Sequence, residues 1–182
     1  MSWAESLRTR VRDDTRAAHD RVDAAYRYCD ITGPEGLGLF LSDHLRAFAA
    51  LSFSNGVNSA QVEALQAEYR EALETDLAAL GHPLPEGGER LRVTADPALY
   101  ILLGSRRGAK LMQRHWAAHA RGEARQAGAF LSLPPRDAEW RELCFDLSAR
   151  SAHGPDADRM VAEVNAIFGL FRPRPLAKGR HD

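Results

Sequence analysis

The sequence predicts an all-α single domain, a helical bundle of about six main helices, and three observations predict it. Apolar residues recur at steps of three and four along almost the whole chain, the period of an amphipathic helix. Proline, glycine, aspartate and asparagine fall between these periodic runs, where helices start and stop. No run alternates apolar and polar residues well enough for a strand, and there is neither an internal repeat nor a linker. With 182 residues and 45% hydrophobic content, the chain is long enough to fill one core.

In the first segment, Leu7, Val11, Thr15, Ala18, Val22 and Tyr26 form one inward stripe, which the stretch DITGPEG interrupts. The second helix is expected over about residues 36 to 53, with Leu37, Phe40, Leu41, Leu45 and Phe48 on one face. After Asn55-Gly56 a third runs over about 59 to 80; Asn58 and Gln61 can form a capping box, and Gly81 closes the helix. HPLPEGGERLRV reads as a loop. Asp96-Pro97 then supplies an N-cap and a proline at the first helical position. This fourth helix should reach about residue 122 and contains Gly104 and Gly108. A fifth covers about 137 to 150, with Trp140, Leu143, Cys144 and Leu147 inward. Pro155-Asp156 opens the last, whose stripe is Met160, Val164, Ile167, Phe168 and Phe171. The domain is expected over residues 1–172, and the polar, proline-broken 173–182 is expected to be a mobile tail.

A formal net charge of −1 gives no overall bias towards nucleic acid or an anionic membrane, and neither is expected as a partner. Two cysteines, Cys29 and Cys144, are too few for a disulfide framework and are expected to be free thiols. The N-terminus is charged from residue 5 with no apolar run like a signal peptide, and no stretch is apolar enough to span a membrane. These features predict a soluble, cytoplasmic protein.

Gly104 and Gly108 lie one turn apart on the same helical face. Each forgoes about 1 kcal/mol of helix stability relative to alanine, so something is expected to come close to the backbone there. The approaching group is either a ligand or a neighbouring helix. Among seven histidines, His82, His153 and His181 fall in a loop, a junction and the tail. His44 lies in the apolar stripe of the second helix, as a satisfied core histidine would. His115 and His119 are one turn apart but lack a third metal ligand nearby. His19 borders the inward stripe, and Asp23 is four residues on. A carboxylate at that spacing can receive one ring N–H, directly or through water, and leave the other nitrogen as a neutral ligand. The plain alternative is a surface His–Asp pair.

The stretch LRTRVRDDTRAAHDRVDAAYRYCDI resembles the start of a bacterial haem oxygenase, in which a T-x-x-x-H motif is followed by a hydrophobic residue, an acid and an aromatic. LYILLGSRRGAKLM resembles that family's distal helix, with its G-S-x-x-G-A/G motif. The order and spacing of the two blocks fit over most of the chain. The resemblance implies a haem-oxygenase-like bundle with haem b sandwiched between the first helix and a glycine-kinked distal helix. His19 would be the proximal iron ligand, with Asp23 behind it and Tyr26 further along the same wall. Gly104, Ser105 and Gly108 would form the catalytic distal side, where ordered water held by backbone carbonyls and Ser105 supplies protons. Arg12 and Arg141 would meet the propionates. Leu103 departs from the glutamate, and Asp23 from the longer acid, that many members carry. Arg107, Lys110, Arg114 and Arg121 make a basic stripe, either a solvated face or a docking surface for an electron donor such as a ferredoxin, flavodoxin or reductase.

The implied reaction takes haem, O₂ and electrons to biliverdin, Fe²⁺ and CO, for iron acquisition or to supply bilin to a phytochrome. A non-catalytic haem carrier or sensor is the alternative within the same fold. A thiaminase-like enzyme of similar architecture would need a cysteine with acidic partners, which neither cysteine has. A plain helical interaction module would leave the glycines to helix packing.

Overall fold

The first helix, α1 (Leu7–Tyr26), begins where the Ser6 hydroxyl accepts the Thr9 amide at 3.3 Å. Its predicted stripe is buried at Leu7, Val11, Thr15 and Ala18, and half-buried at Val22 and Tyr26. The structure is a computed structural model and describes residues 6–54 and 56–172. The expected tail, 173–182, lies outside the described residues.

Pro34 occupies the first turn of α2 (Pro34–Ala50), which buries the expected Leu37, Phe40, Leu41, Leu45 and Phe48. This helix ends three residues early. Leu51–Phe53 instead forms a short strand, β1, paired in parallel with β2 (Leu91–Val93), with Leu51 opposite Leu91 and Phe53 opposite Val93. The expectation of no strand is therefore corrected. Three residues are too few to show a period of two, so the pairing is invisible in the sequence.

After α3 (Ser59–Ala79), Gly81 takes a φ of +66° and closes the helix as expected. The capping box does not form, because Asn58 Nδ2 donates to Asp96 Oδ1 at 2.7 Å. Asp96 in turn is not the cap of α4 (Ala95–His119). Thr94 takes that position, and its amide and hydroxyl both donate to Glu163 Oε2, at 2.8 and 2.6 Å. Helix α4 runs unbroken through both glycines and stops at His119, short of residue 122; a 3-10 turn follows at Gly122–Gln126. Helices α5 (Asp137–Ala149) and α6 (Pro155–Phe168) start where expected, but α6 ends at Phe168, so Phe171 of the expected stripe lies beyond the helix, buried all the same.

Helices α2 and α3 pack together, α3 packs on α4, and α1 and α4 both pack on α5 and α6. Two buried ionic groups, unmarked in the sequence, hold the connection before α5. Asp76 accepts the amides of Ala129 and Phe130 at 2.7 and 2.8 Å. Arg106 donates to the carbonyls of Phe130, Leu131 and Leu133 and lies over the rings of Phe130 and Tyr69. No described helix is long and apolar enough to cross a membrane.

Candidate functional site

Because α1 and α4 lean on shared supports rather than closely on each other, a cleft opens between them. Its volume is about 870 Å³, within the range of small-molecule sites. Phe40, His44, Phe130 and Phe171 close its inner end, and charged side chains of α1 and α4 lie along its walls.

The structure brings seven of the predicted site residues to this cleft: Arg12, His19, Asp23 and Tyr26 from α1, and Gly104, Ser105 and Gly108 from α4. Arg141 is the exception. It is exposed on α5 and does not line the cleft, whereas its neighbour Trp140 does. Successive helical residues point in different directions, so an offset of one position removes a side chain from a site. Arg16 and Arg107 line the cleft as well, Arg107 lying 5.8 Å over the Trp140 ring. Arg121 leaves the predicted basic stripe. It lies beyond α4 and ties to the α1–α2 loop through Asp30 and through Thr32 Oγ1 at 2.5 Å.

His19 Nδ1 stands 3.3 Å from Asp23 Oδ2, and the ring meets Phe168 edge-on at 5.6 Å. A carboxylate there favours the tautomer with the proton on Nδ1, which leaves the lone pair on Nε2. The short aspartate thus reaches its histidine from one turn away.

Gly104 and Gly108 answer differently to the question of what lies close. A Cβ at Gly104 would make ordinary contact with Trp140, at 3.5 Å. A Cβ at Gly108 would meet nothing within 4 Å. Packing against a neighbouring helix, the alternative reading of the pair, does not describe Gly108. Its bare backbone borders the open cleft. Between the two, the Ser105 hydroxyl donates to the Leu102 carbonyl at 2.7 Å, so its proton is already committed while its lone pairs remain available. Leu103 is buried in the core and does not line the cleft.

Tyr26 donates through its hydroxyl to Asp43 Oδ2 at 3.3 Å, and Arg46 Nη2 holds the other carboxylate oxygen at 2.6 Å. Burial, aided by the Asp43 charge, raises the phenol well above its usual range, so Tyr26 presents a neutral ring.

His44 is the residue that sequence reasoning left out of the site. One ring nitrogen is satisfied as expected: Nδ1 donates to the Phe40 carbonyl at 2.8 Å. Yet the ring lines the cleft, among Tyr26, Phe40, Phe130 and Phe171. Burial lowers its pKa to about 4 against the opposing hydrogen bond to Phe40, so the ring is neutral at pH 7. Its place in the apolar stripe beside Phe40 was visible in the sequence, but the direction of its open face was not.

No family model matches the chain, and no curated protein matches it.

Proposed function

We propose that the chain is a haem oxygenase that opens haem to biliverdin with release of Fe²⁺ and CO. One observation carries this reading: Gly108 presents bare backbone to open space in the same cleft that His19 lines. Two glycines that weaken a helix by about 2 kcal/mol, with no neighbour to need them at Gly108, make sense when a flat ligand lies against them.

The residues present fit haem. His19 would hold the iron through Nε2, with Asp23 orienting the ring. Arg12, Arg16 and Arg107, which line the cleft, would meet the two propionates, and Tyr26, Phe40 and Phe130 would offer apolar surface to the macrocycle. Bound haem supplies both the iron at which O₂ is activated and the ring that is oxidised. The chain's contribution on the α4 side is restraint. Gly104 and Gly108 carry no side chain, and the Ser105 proton is committed to Leu102, so none of these three offers an acid. Protons would come from water held by backbone carbonyls and by the Ser105 lone pairs. Lys110 and Arg114, exposed on α4 beside Arg107, suit an acidic electron donor.

Two departures from the pattern of the family that the sequence resembles, Leu103 and Asp23, are what support the carrier alternative. Leu103 lies away from the cleft, and Asp23 reaches His19. Titration with haemin should give a one-to-one complex with a Soret band. Ascorbate or a reductase system should then replace that band with bilin absorption. A Soret band that persists under reduction means a carrier, and its absence with haemin defeats the haem reading.

A further inference from the structure

We propose that His44 is a positioning residue that accepts a hydrogen bond from a pyrrole or lactam N–H of the ring-opened tetrapyrrole, so that the inner end of the cleft favours product over haem. This rests on the haem reading of the cleft and adds a ligand preference to it.

Placement comes first. Tyr26 lies seven residues beyond His19, about 10 Å along α1 at the usual helical rise. The His44 ring is 5.4 Å from the Tyr26 ring and 5.2 Å from that of Phe171. A ligand centred over His19 would therefore meet His44 with its edge.

Chemistry decides what that edge must offer. A carbonyl can only accept, so the bond to Phe40 places the ring proton on Nδ1. Nε2 is left as a bare acceptor. It has no hydrogen bond to any described residue and is not among the buried unpaired atoms, so it opens to the cleft. The Asp43 carboxylate next along α2 is held by Tyr26 and Arg46. Close contact with the tilted Phe40 ring, with centroids 3.9 Å apart, restricts the imidazole.

Haem offers this acceptor nothing. Its nitrogens are at the centre, bound to iron, and its rim carries methyl, vinyl, C–H and propionate groups. A closed ring that displaces water from Nε2 leaves the acceptor unpaired, which is unfavourable. Opening the ring and releasing the iron frees a pyrrole N–H and creates lactam N–H groups. Only then does a donor exist for His44.

The test uses the whole chain, with haemin and biliverdin titrated separately and followed by absorbance. Wild type is expected to bind both. His44→Phe keeps an aromatic ring in place and removes the acceptor, so the ratio of biliverdin to haemin affinity should fall roughly tenfold. His44→Gln, whose amide oxygen can replace the acceptor, should recover most of that ratio. An unchanged ratio, an equal loss for both ligands, or no rescue by glutamine overturns the proposal. A second readout needs no variant: the ¹⁵N resonance of His44 Nε2 should move towards its hydrogen-bonded range when biliverdin is added. A resonance that stays put overturns the proposal even if both substitutions impair folding. Failure of haemin to give a Soret complex is a separate result; it removes the haem reading, while the nitrogen resonance still decides whether His44 meets a bilin.

Discussion

His19 concentrates the functional proposal on one nitrogen atom, and its surroundings make the test clean. The side chain is 57% exposed, so His19→Ala should leave the helical circular dichroism and the melting temperature nearly unchanged. The same substitution should abolish turnover and the histidine-type spectrum of the ferrous–CO complex. If that spectrum survives, the ligand is another histidine, and His115, which lines the same cleft, is next to test. Asp23→Asn preserves size and removes charge, which makes the imidazole a weaker donor to iron. Its iron–histidine stretch should fall in frequency while haemin still binds; an unshifted band would make Asp23 an ordinary surface carboxylate. His44 affects stability instead. Its folded-state pKa of about 4 lies below the ordinary 6.5, so the unfolded chain takes up the proton first as pH falls. The native state therefore loses stability between pH 6.5 and 4, by up to about 3 kcal/mol, and holds the full amount above pH 6.5. Urea unfolding at pH 7 and pH 4.5 should show this loss in wild type and much less of it in His44→Phe. Equal losses in the two proteins would place the acid sensitivity elsewhere.

At the scale of the helices, two glycines make opposite predictions. Gly108→Ala adds a methyl with nothing within 4 Å, so the ligand-free protein should gain about 1 kcal/mol from helix propensity. Against bound haem, on the proposed function, the same methyl would overpack at a cost of about 1–3 kcal/mol, and haemin affinity should fall. Gly36 is also helical, in the first turn of α2, but a Cβ there would sit 2.3 Å from the Asp30 carbonyl oxygen. Backbone would have to move, so Gly36→Ala should lower the melting temperature although propensity favours it. Thermal melts of both variants without ligand check the pair, and a destabilised Gly108→Ala would show that the space is not open. The same contrast explains what could be read from the sequence. Helical stripes were legible because burial imposes the period: Leu7, Val11, Thr15 and Ala18 are buried as their spacing required. Caps were legible only where they are local. Asn58, Thr94 and Asp96 bond across the fold, to Asp96, Glu163 and Arg150 respectively, and such partners leave no mark on neighbouring residues. The cleft residues on α1 and α4 were legible through a pair of motifs, whereas Arg141 does not line the cleft and its neighbour Trp140 does. His44 opens to the cleft only because α1 and α4 stand apart, which no segment encodes alone.

For the molecule as a whole, the cleft exists because its floor is held from beneath. Phe130 and Leu131 line the inner end of the cleft but belong to a connection with no regular structure, which would not stay in place unaided. Asp76 from α3 holds the amides of Ala129 and Phe130, and Arg106 from α4 holds the carbonyls of Phe130, Leu131 and Leu133. Both side chains are buried, with opposite consequences: burial raises the Asp76 pKa against its backbone hydrogen bonds, and lowers that of Arg106. Each is tolerable because the backbone dipoles replace water. Arg106 also sits two residues beyond Gly104, pointing into the core while the glycine faces the cleft, so α4 forms one wall and secures the floor at once. Removing one holder separates these tasks. Asp76→Ala leaves two amides without their acceptor and should cost about 3 kcal/mol, taking each bond to a charged group at about 1.5 kcal/mol. Haemin affinity should fall as well, since Phe130 is free to shift into the ligand's space. Urea unfolding and a haemin titration of the same variant measure the two effects. A stability loss under about 1 kcal/mol with unaltered haemin binding would mean that Arg106 alone holds the connection.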